Sequence, residues 1–205
     1  MTNRTLFCFI LRGIRFWVVE RAACVNNRGV NELSEINKVA AALTEVLPSG
    51  KEAVVLAIGS DRVTGDCLGP LVGYLLQSSG LKVYGSLRSP VTALGVEETY
   101  DNIKKRHPKA VVIAVDSAVG EDCEIGEVRA IGRGLRPAAA MGKKLRCVGD
   151  ASVIGVVSAK RMGAKGLGQV RLGDVYKMAH IVARAIEISV NAKQKAVTQL
   201  KAAVL

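Results

Sequence analysis

Two aspartates, each following an apolar β-branched run, are the residue types best suited to chemistry in this 205-residue chain. Val54-Val55-Leu56-Ala57-Ile58 breaks at Gly59 into a polar loop that carries Asp66 and ends in Leu68-Gly69-Pro70. Ala110 to Val115 has the same apolar character and leads straight into Asp116. Carboxyl groups held close split their pKa values, so one ionises while the other keeps its proton. Such a pair can activate water: the ionised member takes a proton and the neutral one donates to a carbonyl oxygen or leaving nitrogen. Taken singly, each acid has an ordinary alternative. Asp66, after Gly65, suits a turn or helix cap, and Asp116 suits a bond to the amides of a following loop.

Other nucleophile and cofactor patterns are weaker. Gly59-Ser60-Asp61 lacks the GxxxxGK[ST] phosphate loop, and no GxGxxG follows Gly59. His107 precedes Pro108 at a helix end and His180 falls inside a helix, which gives both a structural role. Cys67 beside Asp66 is a nucleophile only if a base approaches it. Five irregularly spaced cysteines with no CxxC pair read as reduced thiols, and they argue against a structural zinc site.

The elements that must position the two acids follow from periodicity. An α/β pattern places sites beyond the carboxyl ends of parallel strands, so two neighbouring strands would bring Asp66 and Asp116 to one edge. Asn31 caps a helix carrying Leu33, Ile36, Val39, Ala40, Leu43 and Val46, which Pro48-Ser49-Gly50 stops. Strands are predicted at 53–58, 82–87, 110–116, 126–131 and 152–158. Pro70 opens a second helix, 94–106 is a third with Leu94, Tyr100 and Ile103 inward, and a long closing helix spans 174–191. Residues 132–149 form a long Gly- and Arg-rich loop, of a length that is usually functional. Strand and helix alternate throughout, giving one doubly wound domain over 31–205. Residues 1–30 form an ill-defined extension. Its apolar core, Leu6 to Leu11, is too short and too close to Arg12 and Arg15 for a secretion signal or a membrane span.

The net charge is +11, with 29 Lys and Arg against 18 Asp and Glu. Ten of those bases fall between Arg129 and Arg171, where Asp150 is the one acid. Such a segment either attracts an anionic partner or serves as a solvated rim. Aromatic residues make up 4% of the chain and no nucleic-acid motif is present, which argues against a base-stacking platform.

The blocks Ala57-Ile58-Gly59-Ser60, Thr64-Gly65-Asp66-Cys67-Leu68-Gly69-Pro70-Leu71-Val72-Gly73, Val83-Tyr84-Gly85, Ser89-Pro90-Val91-Thr92-Ala93-Leu94, Ile113-Ala114-Val115-Asp116 and Val148-Gly149-Asp150 occur in one order. In that order the chain resembles the YyaC-like sporulation proteins, which are similar to the germination (spore) protease and more remotely to hydrogenase maturation endopeptidases. The resemblance covers about residues 52 to 190. It implies a three-layer α/β/α fold with a twisted, mainly parallel sheet of the hydrogenase-maturation-protease (phosphorylase/hydrolase-like) type. It further implies a cytoplasmic protein of the developing spore or mother cell. The two aspartates required in the germination protease match Asp66 and Asp116. Relatives that bind nickel use these positions with a histidine.

Three departures stand out. Gly65 replaces a proline, Ser60 an asparagine, and Ser152 occupies a position where many relatives carry histidine. Without that third ligand the expectation is a metal-free site and no cofactor. The reading is an endopeptidase with Asp66 and Asp116 catalytic, Gly59, Ser60, Gly69 and Asp150 contacting a polypeptide substrate, and basic loops favouring an acidic one. The alternatives are a non-catalytic sporulation protein that binds an anionic partner and a metal-dependent maturation protease.

Overall fold

The computed structural model describes residues 7–11, 14–18, 31–137 and 145–202. Within the predicted extension, β1 (Phe7–Leu11) and β2 (Ile14–Val18) pair antiparallel with each other. The elements that follow are α1 (Glu32–Val46), β3 (Ala53–Ala57), α2 (Leu68–Leu75), β4 (Lys82–Tyr84), α3 (Val96–Arg106) and β5 (Val111–Gly120). After them come β6 (Val128–Ile131), β7 (Ala151–Ala159), α4 (Gly163–Leu167) and α5 (Leu172–Ala202).

One five-stranded sheet runs β4-β3-β5-β7-β6, parallel except for β6, which pairs antiparallel with β7. Strict alternation therefore fails between β5 and β7. The chain goes out to the sheet edge as β6 and returns through the long loop with no intervening α-helix among the described residues, so the fold is a mixed sheet flanked by helices.

Side-chain alternation along the strands divides the core into two faces. Ala53 and Val55 of β3, Ile113 and Val115 of β5 and Val153 of β7 pack with α1, α2 and α5. Val54, Leu56, Val112 and Ala114 pack with Val96 and Ile103 of α3 and with Leu135 and Val148 of the long loop. Because both faces are covered, β3 is buried along its whole length, which explains its uninterrupted apolar run.

Asn31 caps α1 as predicted, its Oδ1 accepting from Leu33 N–H at 3.2 Å. Leu33 itself points outward and is 59% exposed, so the buried stripe begins at Ile36. Leu94 is likewise outside, 89% exposed in the turn before α3. Its Thr92-Ala93-Leu94-Gly95 neighbourhood is a turn closed by a bond from Gly95 N–H to Thr92 C=O, so helical periodicity starts only at Val96. The closing helix is longer than its apolar stripe suggested, continuing to Ala202. The Ser189 hydroxyl lies 2.9 Å from the Ala40 carbonyl and 2.7 Å from that of Ala185, which ties α5 to α1. Among the described residues, no helix is long and apolar enough to cross a membrane.

Candidate functional site

Parallel register brings the two aspartates to one end of the sheet. β3 pairs with β5 from Ala53↔Val111 to Ala57↔Val115, and Ile58 N–H donates to Val115 C=O at 2.8 Å. The chain thus leaves β3 beside the residue that precedes Asp116. It turns back at once: Ser60 N–H donates to the Asp66 carbonyl at 3.0 Å, and Asp66 N–H to Val63 C=O at 2.9 Å. Asp66 sits in a single 3-10 turn, Thr64–Cys67, that runs directly into α2.

Two glycines make this return possible. Gly59 has φ +143°, and a Cβ there would overlap the Asp66 carbonyl oxygen. A Cβ on Gly69 would overlap the Ile58 carbonyl oxygen, so the first turn of α2 rests directly on the end of β3. The close approach that these glycines permit is between the loop, the helix and the strand of this chain itself, where the sequence pointed to approach by substrate. Gly65 has a similar role: a Cβ would stand 2.8 Å from the Leu167 carbonyl, where α4 presses against the loop. Because α4 is a five-residue helix with no periodic stripe, no sequence signal announced it.

Asp116 does not end its strand. β5 continues to Gly120, with a register shift between Ala118 and Val119 against β7. Asp116 lies opposite Ile154 and is 8% exposed; its Oδ1 accepts the Ser117 N–H at 2.8 Å. The sequence allowed Asp116 a bond to a following backbone amide, and the donor found lies within β5 itself and not in a loop beyond it. Asp66 is half-buried.

Burial raises both carboxyls. Asp66 is pushed from 3.8 up to about 6 by loss of hydration, against a small opposing pull from the Ser60 amide. Asp116 is pushed well above the usual carboxylate range, first by burial and then by the negative charge of Asp66, with the Ser117 amide opposing. The asymmetry has a physical order. Asp66 ionises while Asp116 is still neutral and feels no charge from it, whereas Asp116 must ionise beside a carboxylate. At pH 7 Asp66 is about nine-tenths ionised, and burial beside that charge favours the protonated form of Asp116.

The other predicted contacts separate from this pair. Ser60 is half-exposed on the Asp66 loop, where its hydroxyl accepts from Arg62 N–H at 3.2 Å and shapes the turn. Asp150 is not brought to the site: it precedes β7 at the amino end of the sheet, and its own N–H donates to Val112 C=O. Its carboxylate accepts Val112 N–H at 2.8 Å and pairs with Lys104 Nζ at 2.8 Å, which fastens the returning loop to β5 and α3. Cys67 is buried, and burial together with Asp61 and Asp66 pushes its thiol up, away from thiolate chemistry. His107 Nε2 lies 3.1 Å from the Tyr84 hydroxyl, and His180 is paired with Glu32 at 2.7 Å. Among the described residues no group of three His, Cys, Asp or Glu is arranged to hold a metal, so Asp66 and Asp116 would offer an ion two carboxylates without a third such ligand.

The basic segment is less uniform than its sequence. Arg129 pairs with Glu124 and Glu127, Arg146 with Asp101, and Arg161 with Asp122. Every one of those acids lies outside residues 129–171, so a count within the segment missed them. Lys143 and Lys144 fall outside the described residues.

Two comparisons place the chain among known sequences. It is 39% identical to the uncharacterized protein YyaC of Bacillus subtilis (strain 168) over 146 residues, which is 69% of this chain and 71% of that protein. Residues 27–185 match the family described as protein of unknown function DUF1256. A match over that much of the sheet and its helices, together with this relative, means that the chain belongs to the DUF1256 family.

Proposed function

We propose that this protein is an endopeptidase, with an α/β fold of the hydrogenase-maturation-protease type, acting in sporulation or germination. The observation that carries this reading is the placement of two carboxyls at one end of the sheet, Asp66 half-buried and raised to about 6, and Asp116 buried beside it and raised further by that charge. Asp66, half-buried, would take a proton from water as that water attacks the carbonyl carbon of a peptide bond. Asp116 would donate its proton to the developing oxyanion, giving a gem-diol; as the C–N bond breaks, Asp66 would pass the proton taken from water to the leaving nitrogen and Asp116 would take one back from the gem-diol, giving a carboxylic acid and an amine with both aspartates restored. Buried acids with raised pKa values, set close together at one end of a sheet, are the arrangement that acid and base catalysis uses. The resemblance to spore proteases at the Asp66 and Asp116 blocks supports the same assignment.

Incubating the purified chain with a mixed library of unstructured peptides, with mass-spectrometric detection of cleavage, tests it. Hydrolysis is expected from the native chain and is lost in Asp66→Asn and Asp116→Asn. Cleavage that persists in either variant would remove the mechanism.

A further inference from the structure

Beyond the aspartate pair, a groove of about 360 Å³ wraps the outer edge of β4. Gln77, in the 3-10 turn that follows α2, stands on one side of it and Thr99, Asn102 and Arg106 of α3 on the other, with Ser86 and Ser89 at its end. β4 pairs with β3 on its inner side, and among the described residues no strand pairs with its outer side. A strand edge that lies in a slot between two helices has the dimensions and the unpaired main-chain groups to accept an extended peptide as an added strand. A short edge strand is otherwise a common way to blunt a sheet. What separates this edge from a merely blunted one is its polar slot.

The groove also has a sign. Arg106 is its one charged lining residue; it is exposed, and no acid among the described residues is paired with it. The groove leads toward the aspartates: Val91, which also lines it, accepts the Gly59 N–H at 3.0 Å, and Gly59 rests on the Asp66 carbonyl.

We infer that the β4 edge is the substrate-docking subsite of the proposed peptidase, taking an extended polypeptide segment whose acidic side chain meets Arg106. This inference rests on the peptidase reading for its reaction but not for its binding. The sheet order fixes the reach. An added strand would lie two strand spacings from β3 and three from β5, about 10 and 14 Å at about 4.8 Å each; Arg106 ends α3 at the amino pole of the sheet, where Lys104 meets Asp150, so the recognised acid sits farther than about three or four extended residues from the bond that is cut.

The probe is a fluorescein-labelled decapeptide of alternating Glu and Val, with an alternating Lys and Val peptide as control. Binding is followed by anisotropy in the Asp66→Asn background, so that no cleavage interferes. The Glu peptide should bind more tightly than the Lys peptide, and Arg106→Glu should weaken it by about tenfold while improving the Lys peptide, the size expected when one exposed pair becomes a repulsion. Hydrogen exchange should show new protection of residues 82–86 on binding. Unchanged affinity in Arg106→Glu, protection confined to residues 129–171, or no binding at all would overturn the inference. Groove binding without hydrolysis by the native chain would sink the peptidase reading alone. Hydrolysis that ignores Arg106→Glu and peptide charge would sink the docking site alone.

Discussion

An acid whose pKa is raised by folding destabilises the protein wherever it is ionised, and this makes Asp66 testable without any substrate. Its shift from 3.8 to about 6 corresponds to about 3 kcal/mol at about 1.4 kcal/mol per pKa unit. Because the carboxyl is only half-buried, screening by water reduces this, and about 1.5 kcal/mol is the working value. The sign follows from linkage. Between pH 4 and 6 the folded state binds more protons than the unfolded state, so stability falls as pH rises through that window and stays reduced above it. Asn does not titrate. Asp66→Asn should therefore match the native chain below pH 4, gain on it from pH 4 to 6, and be more stable by about 1.5 kcal/mol at pH 7 and above. For a chain of this size that is a Tm increase of about 3–6 °C. Thermal and urea unfolding of both proteins at unit pH steps from 4 to 8 measures it. A variant that is less stable than the native chain, or more stable by a margin independent of pH, would show that Asp66 serves as a cap or turn residue, and the electrostatic argument for the site would fail.

The same pair sets a bell-shaped profile for kcat/KM on a cleaved peptide, rising with pH around 6 as Asp66 ionises and falling at higher pH as Asp116 loses its proton; a profile flat across pH 5–7 would contradict it. Asp116→Asn should lower hydrolysis by at least about 100-fold while leaving the far-ultraviolet circular dichroism intact. Gly69→Ala, which drives a Cβ into the Ile58 carbonyl, should cost more than about 2 kcal/mol in urea unfolding, as α2 is lifted from the end of β3. Asp150→Ala leaves Val112 N–H without its side-chain acceptor and Lys104 without its partner, for a loss of about 1–3 kcal/mol in stability measured by the same method.

The parts of the fold legible in the sequence were those written in side-chain pattern. β3, β5 and β7 lie buried between layers, and their continuous Val, Ala and Ile runs announced them. Asn31 announced α1 because a cap is a side-chain bond to the adjacent backbone. What stayed hidden depended on distant chain. The direction of β6 is decided by how the 132–149 loop returns, and the groove beside β4 exists only because α2 and α3 flank one edge from opposite faces. Arg106 read simply as the end of a helix before His107-Pro108. For the site, strand ends pointed to Asp66 and Asp116. The placement of Asp150 was obscured because Val148-Gly149-Asp150 precedes its strand, and in a parallel sheet that puts it at the opposite pole from residues that follow theirs.

The position of β7 bears on how the molecule comes into being. Among the described strands it comes last in chain order, yet it slots into the interior of the sheet between β5 and the β6 edge. A nascent polypeptide that stops short of Ala151 has no neighbour for the far side of β5, so Asp116 remains hydrated and titrates as an ordinary acid. The raised carboxyl of Asp116 is therefore formed only once β7 has joined the sheet.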